Sequence, residues 1–158
     1  MKEREIKFMQ AAIDLARQGM TEGRGGPFGC VIVKDDVIIG SGSNSVTSYN
    51  DPTAHAEIMA IRDACKTLNH FQLTGCELYT SCEPCPMCLG AIYWARPSKV
   101  YFANTRQDAT AIGFDDSFIY DELNVPVRQR AIETLHLQTP DALKVFEEWA
   151  LKPNKTVY

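Results

Sequence analysis

Two short motifs constrain what this chain can fold into more than any other feature. The first is His55-Ala56-Glu57, and the second is Pro84-Cys85-Pro86-Met87-Cys88. Histidine nitrogen and cysteine sulfur are typical ligands of zinc, and a tetrahedral ion with three protein ligands keeps its fourth position for water. The fold must therefore bring both motifs together in space, and the open position indicates a catalytic metal centre.

The second motif precedes a predicted helix over residues 86–95, because proline suits the first turn of a helix. Cys85 and Cys88 are three residues apart, so they face the same direction there. The helix dipole and free N–H groups at this end favour the thiolates that zinc needs. His55 lies near the start of another predicted helix, over residues 54–68. Helices that follow parallel strands begin at the same edge of the sheet, which predicts one metal site from the histidine and the two cysteines.

Glu57 is the carboxylate that we expect to move protons at this site. Two thiolates already neutralise Zn²⁺, so the metal acidifies its water less than an all-histidine site would, and a nearby base becomes more useful. Glu57 is predicted to take a proton from the water, whose oxygen attacks an amidine-like carbon of the substrate. It would then pass protons to the ring nitrogen and the leaving amine. The motifs therefore predict hydrolytic deamination.

Two other interpretations of the cysteines stay open. Cys82 lies three residues before Cys85 and would supply a fourth ligand, which would close the site as in a structural zinc centre. A zinc-stabilised binding domain without turnover would then be the function, and Glu57 would have no role. A Cys-x-x-Cys pair is also found in redox centres, but the prolines and the distant His-x-Glu motif have no part in one.

Hydrophobic periodicity and turn residues predict one α/β domain over residues 1–158. An opening hairpin and a later alternation of strands with helices indicate a mixed sheet that contains parallel β-α-β units and is covered by helices. Asp51 or Thr53 is expected to cap the helix that begins near residue 54, and residues 44–52 are expected to form a loop. The predicted helices cover residues 3–19, 54–68, 86–95, 105–113, 115–122 and 140–151, the predicted strands residues 30–34, 37–41, 76–80, 100–103 and 132–137, and the tail residues 152–158.

The charge balance argues against some classes of partner. With a net charge of −4 and a pI of about 5.4, the chain has no broad basic field to hold a nucleic acid. A small, uncharged substrate is therefore expected. Residues 1–6 are too charged for a signal peptide, and no apolar run approaches the roughly 20 residues of a membrane span. We expect a cytoplasmic protein, in which the thiols stay reduced.

At these motifs the chain resembles the cytidine-deaminase-like superfamily of zinc deaminases, whose signature is H-x-E with P-C-x-x-C. Over its whole length it resembles the bacterial guanine deaminase branch. The resemblance implies a three-layer α/β/α sandwich around a five-stranded mixed sheet, one zinc ion per subunit, and conversion of guanine to xanthine and ammonia in purine catabolism. The matching segments are residues 25–29, 44, 51–57, 79–96 and 113–120.

The resemblance also implies the residues that hold the substrate. Asn44 would hydrogen-bond the purine ring, Phe28 would pack against it, and Asp116 would recognise the base and help to move protons to the leaving amine. Tyr158 would cover the pocket of a partner subunit, in a homodimer that exchanges the tail of residues 152–158. Purely structural roles stay open as alternatives. Phe28 would then be a core residue, Asn44 a turn residue, and Asp115 and Asp116 helix caps.

Two other activities within the superfamily compete with guanine deamination. A tRNA adenosine deaminase is similar in the same motifs, but it must hold an anticodon loop and should be basic around the mouth of its pocket. The C-terminal helix of this chain instead carries Asp141, Glu147 and Glu148 beside Lys144. A cytosine deaminase is the other rival, although a second carboxylate at Asp116 and an aromatic lid fit a bicyclic base better.

Overall fold

The computed structural model describes residues 2–158. They form two compact units, one that ends at Ser117 and one from Phe118 to Tyr158, so the single domain expected over residues 1–158 stays a prediction. None of the helices formed by residues 2–158 combines the length and hydropathy needed to cross a membrane.

The first unit contains the four strands of one sheet and five helices, and α6 begins at its last residue. The helices are α1 (Glu3–Thr21), α2 (Val46–Tyr49), α3 (Ala56–Leu68), α4 (Pro86–Ala95) and α5 (Arg106–Ala111), and the strands are β1 (Gly29–Lys34), β2 (Val37–Ser43), β3 (Glu77–Cys82) and β4 (Lys99–Asn104). The second unit contains α6 (Ser117–Asn124) apart from its first residue, a 3₁₀ turn (Val127–Gln129), α7 (Pro140–Leu151) and a non-helical tail.

The sheet is mixed, as predicted, and its strand order is β2-β1-β3-β4. Strand β1 is antiparallel to both of its neighbours, and β3 is parallel to β4. It follows that β2, β3 and β4 run in the same direction, with β1 opposed to them. The chain passes from β2 through α2 to α3, and α4 follows β3, so α3 and α4 both begin at the carboxyl ends of strands, at one edge of the sheet.

Helices cover both faces of the sheet, because side chains alternate between its faces along each strand. One face packs against α3 and α4, and the other packs against α1, which gives the predicted three layers. The first core contains Cys30, Ile32, Leu78, Ala56, Ala60, Ala64 and Ile92, and the second contains Val31, Val33, Tyr79, Phe8 and Ala12.

The predicted fifth strand is wrong for the residues that the structure describes: residues 132–137 form neither helix nor strand, and the sheet has four strands. Ile132, Leu135 and Leu137 are 82%, 71% and 83% exposed. A strand requires a neighbour for its N–H and C=O groups. The apolar spacing of this segment resembled a strand, but no strand pairing is made by it.

Three local predictions also need correction. The loop expected over residues 44–52 contains the short helix α2. Neither Asp51 nor Thr53 caps α3, which begins at Ala56 with His55 as its N-cap residue. Asp51 instead accepts hydrogen bonds from the backbone N–H and the hydroxyl of Thr53, at 2.8 and 2.7 Å. These bonds form an Asx turn that ends two residues before the N-cap residue. The side chain of Asp51 is engaged in this turn and does not cap the helix.

Helix α3 lies very close to β2, and glycine makes that approach possible. A Cβ atom at Gly42 would be 2.4 Å from the carbonyl oxygen of Ala56 and 2.7 Å from the nitrogen of Ala60. We therefore expect Gly42→Ala to lower the free energy of unfolding by about 2 kcal/mol, because an overpacked backbone contact must open. Urea unfolding followed by circular dichroism measures the change.

The control for this substitution is Gly90→Ala. Gly90 lies within α4, and a Cβ atom there would meet nothing within 4 Å. Alanine in a helix interior is more favourable than glycine by about 0.5–1 kcal/mol, so this variant should be at least as stable as the parent. Equal stability of the parent and Gly42→Ala would show that α3 can move away from β2 without cost.

Candidate functional site

The three predicted ligand residues meet at the starts of α3 and α4. His55 is the N-cap residue of α3, but its side chain makes no capping hydrogen bond, so the imidazole is available to the cysteines. Its Nδ1 atom lies 3.5 Å from Sγ of Cys85, the N-cap residue of α4, and 3.4 Å from Sγ of Cys88, one turn later. All three ligand atoms lie within 4.8 Å of one another.

This arrangement fits a tetrahedral zinc ion. Typical Zn–N and Zn–S bond lengths place nitrogen and sulfur about 3.6 Å apart across a tetrahedral edge, close to both measured separations. The hydrogen bonds from Cys88 and from His55 lower the pKa of Cys85 to about 4, which favours a thiolate at this sulfur. Its negative charge and hydrogen bond, together with burial, raise the pKa of the Cys88 thiol. A bound metal ion would replace the proton through which the Cys88 thiol is hydrogen-bonded to Cys85.

Cys82 is directed away from this group. Its thiol faces the carbonyl oxygen of Thr105, at 3.6 Å, and burial raises its pKa to about 11. Among residues 2–158, the group able to hold a metal contains His55, Cys85 and Cys88 and leaves this cysteine out. The fold therefore does not bring together the four ligands that the closed-site interpretation requires. The sequence contexts of Cys30, Cys65 and Cys76 predict buried small apolar residues; Cys30 and Cys76 are buried in the core, whereas Cys65 is half-buried beside it.

Glu57 lies in the first turn of α3 and is 6% exposed. Its Oε2 atom accepts a hydrogen bond from Sγ of Cys88 at 3.4 Å, and its Oε1 atom accepts one from the hydroxyl of Thr80 at 3.2 Å. Burial raises the pKa of this carboxyl group, which brings it toward the range where it can both take and give a proton. The predicted base thus lies beside the metal ligands.

Asn44 and Phe28 lie in the loops that lead to the site. The Oδ1 atom of Asn44 accepts hydrogen bonds from the backbone N–H groups of Gly26 and Val46, at 3.2 and 3.3 Å. Phe28 is half-buried, packs against the core under α3 and α4, and meets the ring of Phe114 edge-on, with centroids 4.9 Å apart. Both residues therefore have structural contacts, and their contacts with a substrate stay predictions.

The two neighbouring aspartates differ in their surroundings. Asp115 is exposed, and its Oδ1 atom accepts a hydrogen bond from the backbone N–H of Ser117 at 2.9 Å, which lowers its pKa. Asp116 is half-buried, and burial together with the negative charge of Cys85 raises its pKa. The hydrogen bond of Asp115 is that of an Asx turn leading into Ser117. Asp116 is close enough to the cysteine pair to be influenced by its charge.

Tyr158 is the last residue of the second unit. It follows α7 and a non-helical stretch, and its side chain is 66% exposed. The predicted non-helical tail of residues 152–158 is confirmed. Its role in covering a pocket stays a prediction.

Two residues of the site were not identified from the sequence. Thr80 is a polar residue at a position of β3 that alternation directs into the core, and this mismatch was the available signal. Phe114 packs on Phe28 and lies two residues before Asp116. The available signal was the glycine before it. Gly113 has a φ of +93°, and a glycine followed by an aromatic residue indicates a sharp turn that can fold the aromatic ring inward.

Comparison with known proteins places the chain among deaminases. The family model for the cytidine and deoxycytidylate deaminase zinc-binding region matches residues 2–104. Guanine deaminase of Bacillus subtilis (strain 168) is 54% identical over 151 residues, which are 96% of this chain and 97% of that protein. The X-ray structure of guanine deaminase from Bacillus subtilis has a TM-score of 0.95 at 52% identity, over 100% of this chain and 99% of that one.

A second group of relatives matches a shorter part of the chain. The tRNA-specific adenosine deaminase of Aquifex aeolicus is 45% identical over 96 residues, which are 61% of this chain and 63% of that protein. Similarity is therefore nearly complete in length to one kind of deaminase and partial to the other.

Proposed function

The chain belongs to the cytidine and deoxycytidylate deaminase family, in the branch of the guanine deaminases, and on this premise we propose that it hydrolyses guanine to xanthine and ammonia. The observation that carries the proposal is 54% identity to a guanine deaminase over 96% of the chain. That span of 151 residues extends beyond residue 104, where the family model ends.

His55, Cys85 and Cys88 would hold one zinc ion per subunit. When bound, zinc supplies Lewis acidity that lowers the pKa of a coordinated water. The separations between the ligand atoms and the thiolate character of Cys85 support this assignment. None of the six cysteines, all within the described residues, forms a disulfide, which suits the reducing cytoplasm, where we place the protein.

Glu57 moves the protons of the reaction. Its Oε2 atom lies on the side of the metal ligands, 3.4 Å from Sγ of Cys88, where it can accept a proton from the attacking water. Its raised pKa allows it to keep that proton and deliver it to the ring nitrogen. The second proton of the water then passes from the new hydroxyl group to the departing amine. The carbon that carried the amino group gains the oxygen of water, its bond to nitrogen breaks, and ammonia leaves.

The purine base would be held by four side chains. Asn44 would donate from its amide nitrogen to the ring, because its oxygen is engaged with the backbone of the neighbouring loop. Phe28 would pack against the ring, Asp116 would bind its polar edge, and Tyr158 would close the pocket. No nucleic acid and no membrane is required by this set.

Asp116→Asn tests the second carboxylate. We expect kcat to fall about 100-fold, because an amide cannot transfer a proton to the leaving amine. The matched control is Asp115→Asn, in which the new side-chain oxygen can still accept the hydrogen bond from Ser117, and activity should stay within about twofold. Steady-state kinetics with guanine measures both variants. Equal activities of the two variants would remove Asp116 from proton transfer.

Ammonia release tests the substrate assignment. Purified zinc-loaded protein is given guanine, adenine, cytosine, cytidine or an adenosine-containing anticodon stem-loop in separate assays. Turnover of guanine alone is expected. Turnover of the stem-loop or of cytosine would overturn the substrate but keep the metal site, and zinc-loaded protein that is silent on all five would indicate a binding domain.

The homodimer that exchanges C-terminal segments is part of the same proposal. Strand β4 is at the edge of the sheet, with one neighbour among the described strands. In the second unit, Ile132, Leu135 and Leu137 are exposed, and α7 exposes Phe146 and Leu151. Apolar side chains that are exposed together mark interaction surfaces, and a second copy of the chain would cover these.

A mixed dimer tests the exchange of tails. Deletion of residues 152–158 is expected to lower kcat/KM at least about tenfold, because the open pocket loses the contacts that orient the base. When the truncated chain is co-expressed with full-length Glu57→Gln, activity should return, since the tail of the inactive subunit closes the active pocket. A tail that acts on its own subunit would leave this mixture at the low activity of the truncated chain.

A further inference from the structure

Thr80 occupies an unusual place for a hydroxyl group. Its side chain is 1% exposed, and it lies on the face of β3 that packs against α3 and α4, two residues after Leu78. It lies opposite Cys30 on β1. A buried hydroxyl is unfavourable unless it is hydrogen-bonded, whereas valine would fill the same volume without that requirement. The position therefore needs a partner for the hydroxyl.

That partner is the carboxylate of Glu57. The hydroxyl of Thr80 donates to Oε1 at 3.2 Å, while Sγ of Cys88 donates to Oε2 at 3.4 Å. The two donors lie on different elements, the sheet and α4, so each oxygen of the carboxylate is held from its own side. A cysteine that binds zinc carries no proton to donate. The threonine bond does not depend on the metal.

We propose that Thr80 is a positioning residue for Glu57: its hydroxyl holds Oε1 so that Oε2 faces the metal ligands and the substrate. The inference rests on the proposed function, in which Glu57 moves the protons. Threonine supplies this orientation from a strand in the middle of the core, where the backbone is fixed by pairing with β1 and β4. A site held on rigid elements keeps its reacting groups in place.

Two substitutions separate the hydroxyl from the methyl group. Thr80→Val keeps the shape and removes the donor, and Thr80→Ser keeps the donor and removes the methyl. We expect Thr80→Val to lower kcat about tenfold with KM within about twofold, because a misdirected base affects the chemical step and not binding. Thr80→Ser should keep at least half of the parent kcat. Zinc content and melting temperature are measured for both proteins.

A larger loss of kcat in Thr80→Ser than in Thr80→Val would overturn the proposal. Packing alone predicts that Thr80→Val equals the parent and that Thr80→Ser is the weaker variant. A parallel loss in both variants would also assign Thr80 to packing. In the Glu57→Gln background, Thr80→Val should have no further effect on the residual rate, because residues that act as a unit are not additive. An undiminished tenfold loss there would show that Thr80 acts elsewhere.

A crystal structure of zinc-loaded Thr80→Val gives a result that does not depend on guanine turnover. The carboxylate of Glu57 should adopt a second rotamer or rotate away from residue 80, whereas in Thr80→Ser it should keep the parent position. If the parent protein did not deaminate guanine, the proposed function would fail while this comparison still decided the positioning role. An unmoved carboxylate in Thr80→Val would contradict that role.

Discussion

Replacement of Glu57 by glutamine is expected to lower kcat for guanine by about 10³-fold and to leave zinc binding and folding unchanged. The amide has the shape of the carboxylate and can still accept the hydrogen bond from Thr80, but it cannot take a proton from water. General acid–base groups typically contribute 10²–10⁴-fold, and the buried position beside the ligands places this one near the middle of that range. Kinetics at saturating guanine measures the loss.

Two further measurements make this result specific. Zinc content per subunit and the melting curve should match those of the parent, so that the loss is one of chemistry. Glu3→Gln is the matched control, since Glu3 is an exposed carboxylate at the start of α1, and it should be fully active. A Glu57→Gln protein with the activity of the parent would refute the proton-transfer role, and with it the mechanism.

Replacement of Cys85 by serine is expected to weaken zinc binding by more than 100-fold. Removal of a partner that only supports a ligand typically costs 10–100-fold in metal affinity or activity, and Cys85 would itself be a ligand. It is also the thiol whose pKa is lowered to about 4, so serine, whose hydroxyl stays protonated, cannot replace it. Retained zinc after dialysis against a chelator measures the change, and deamination should be lost with the metal.

Cys82→Ser is the control for this experiment and a test of the closed-site alternative. Its thiol faces the carbonyl of Thr105, and a serine hydroxyl can donate to the same oxygen. The variant should therefore keep its zinc. Loss of zinc from Cys82→Ser as well as from Cys85→Ser would indicate a four-ligand structural centre. That result would support a zinc-stabilised binding domain without turnover.

The helices were largely predictable because their signals are local. Pro86 begins α4 and Pro140 begins α7, at the residues that the sequence indicated. The strand predicted over residues 132–137 does not form, for the opposite reason: the apolar residues of a short segment do not indicate whether a neighbouring strand exists. Pairing depends on residues distant in sequence, and no pattern within the segment contains that information.

The site was predictable to the extent that chemistry depends on residue type. Histidine, two cysteines and a glutamate at that spacing indicated a metal and a base, and the fold brings them together. The support around them could not be predicted. The bond from Thr80 to Glu57 joins β3 to α3, and the bonds of Asn44 hold the turn around Gly26. Both depend on tertiary distances.

The position of the ligands at two helix starts has a consequence for folding. His55 and Cys85 are 30 positions apart, and β3 lies between them, so an ion bound by both is a cross-link across that loop. Such a link reduces the entropy of the unfolded chain and closes a loop that includes a central strand. Because metal binding adds its free energy to folding, the holoprotein should protect the first amides of α3 and α4 from hydrogen exchange. A bound ion would therefore stabilise the fold as well as take part in the reaction.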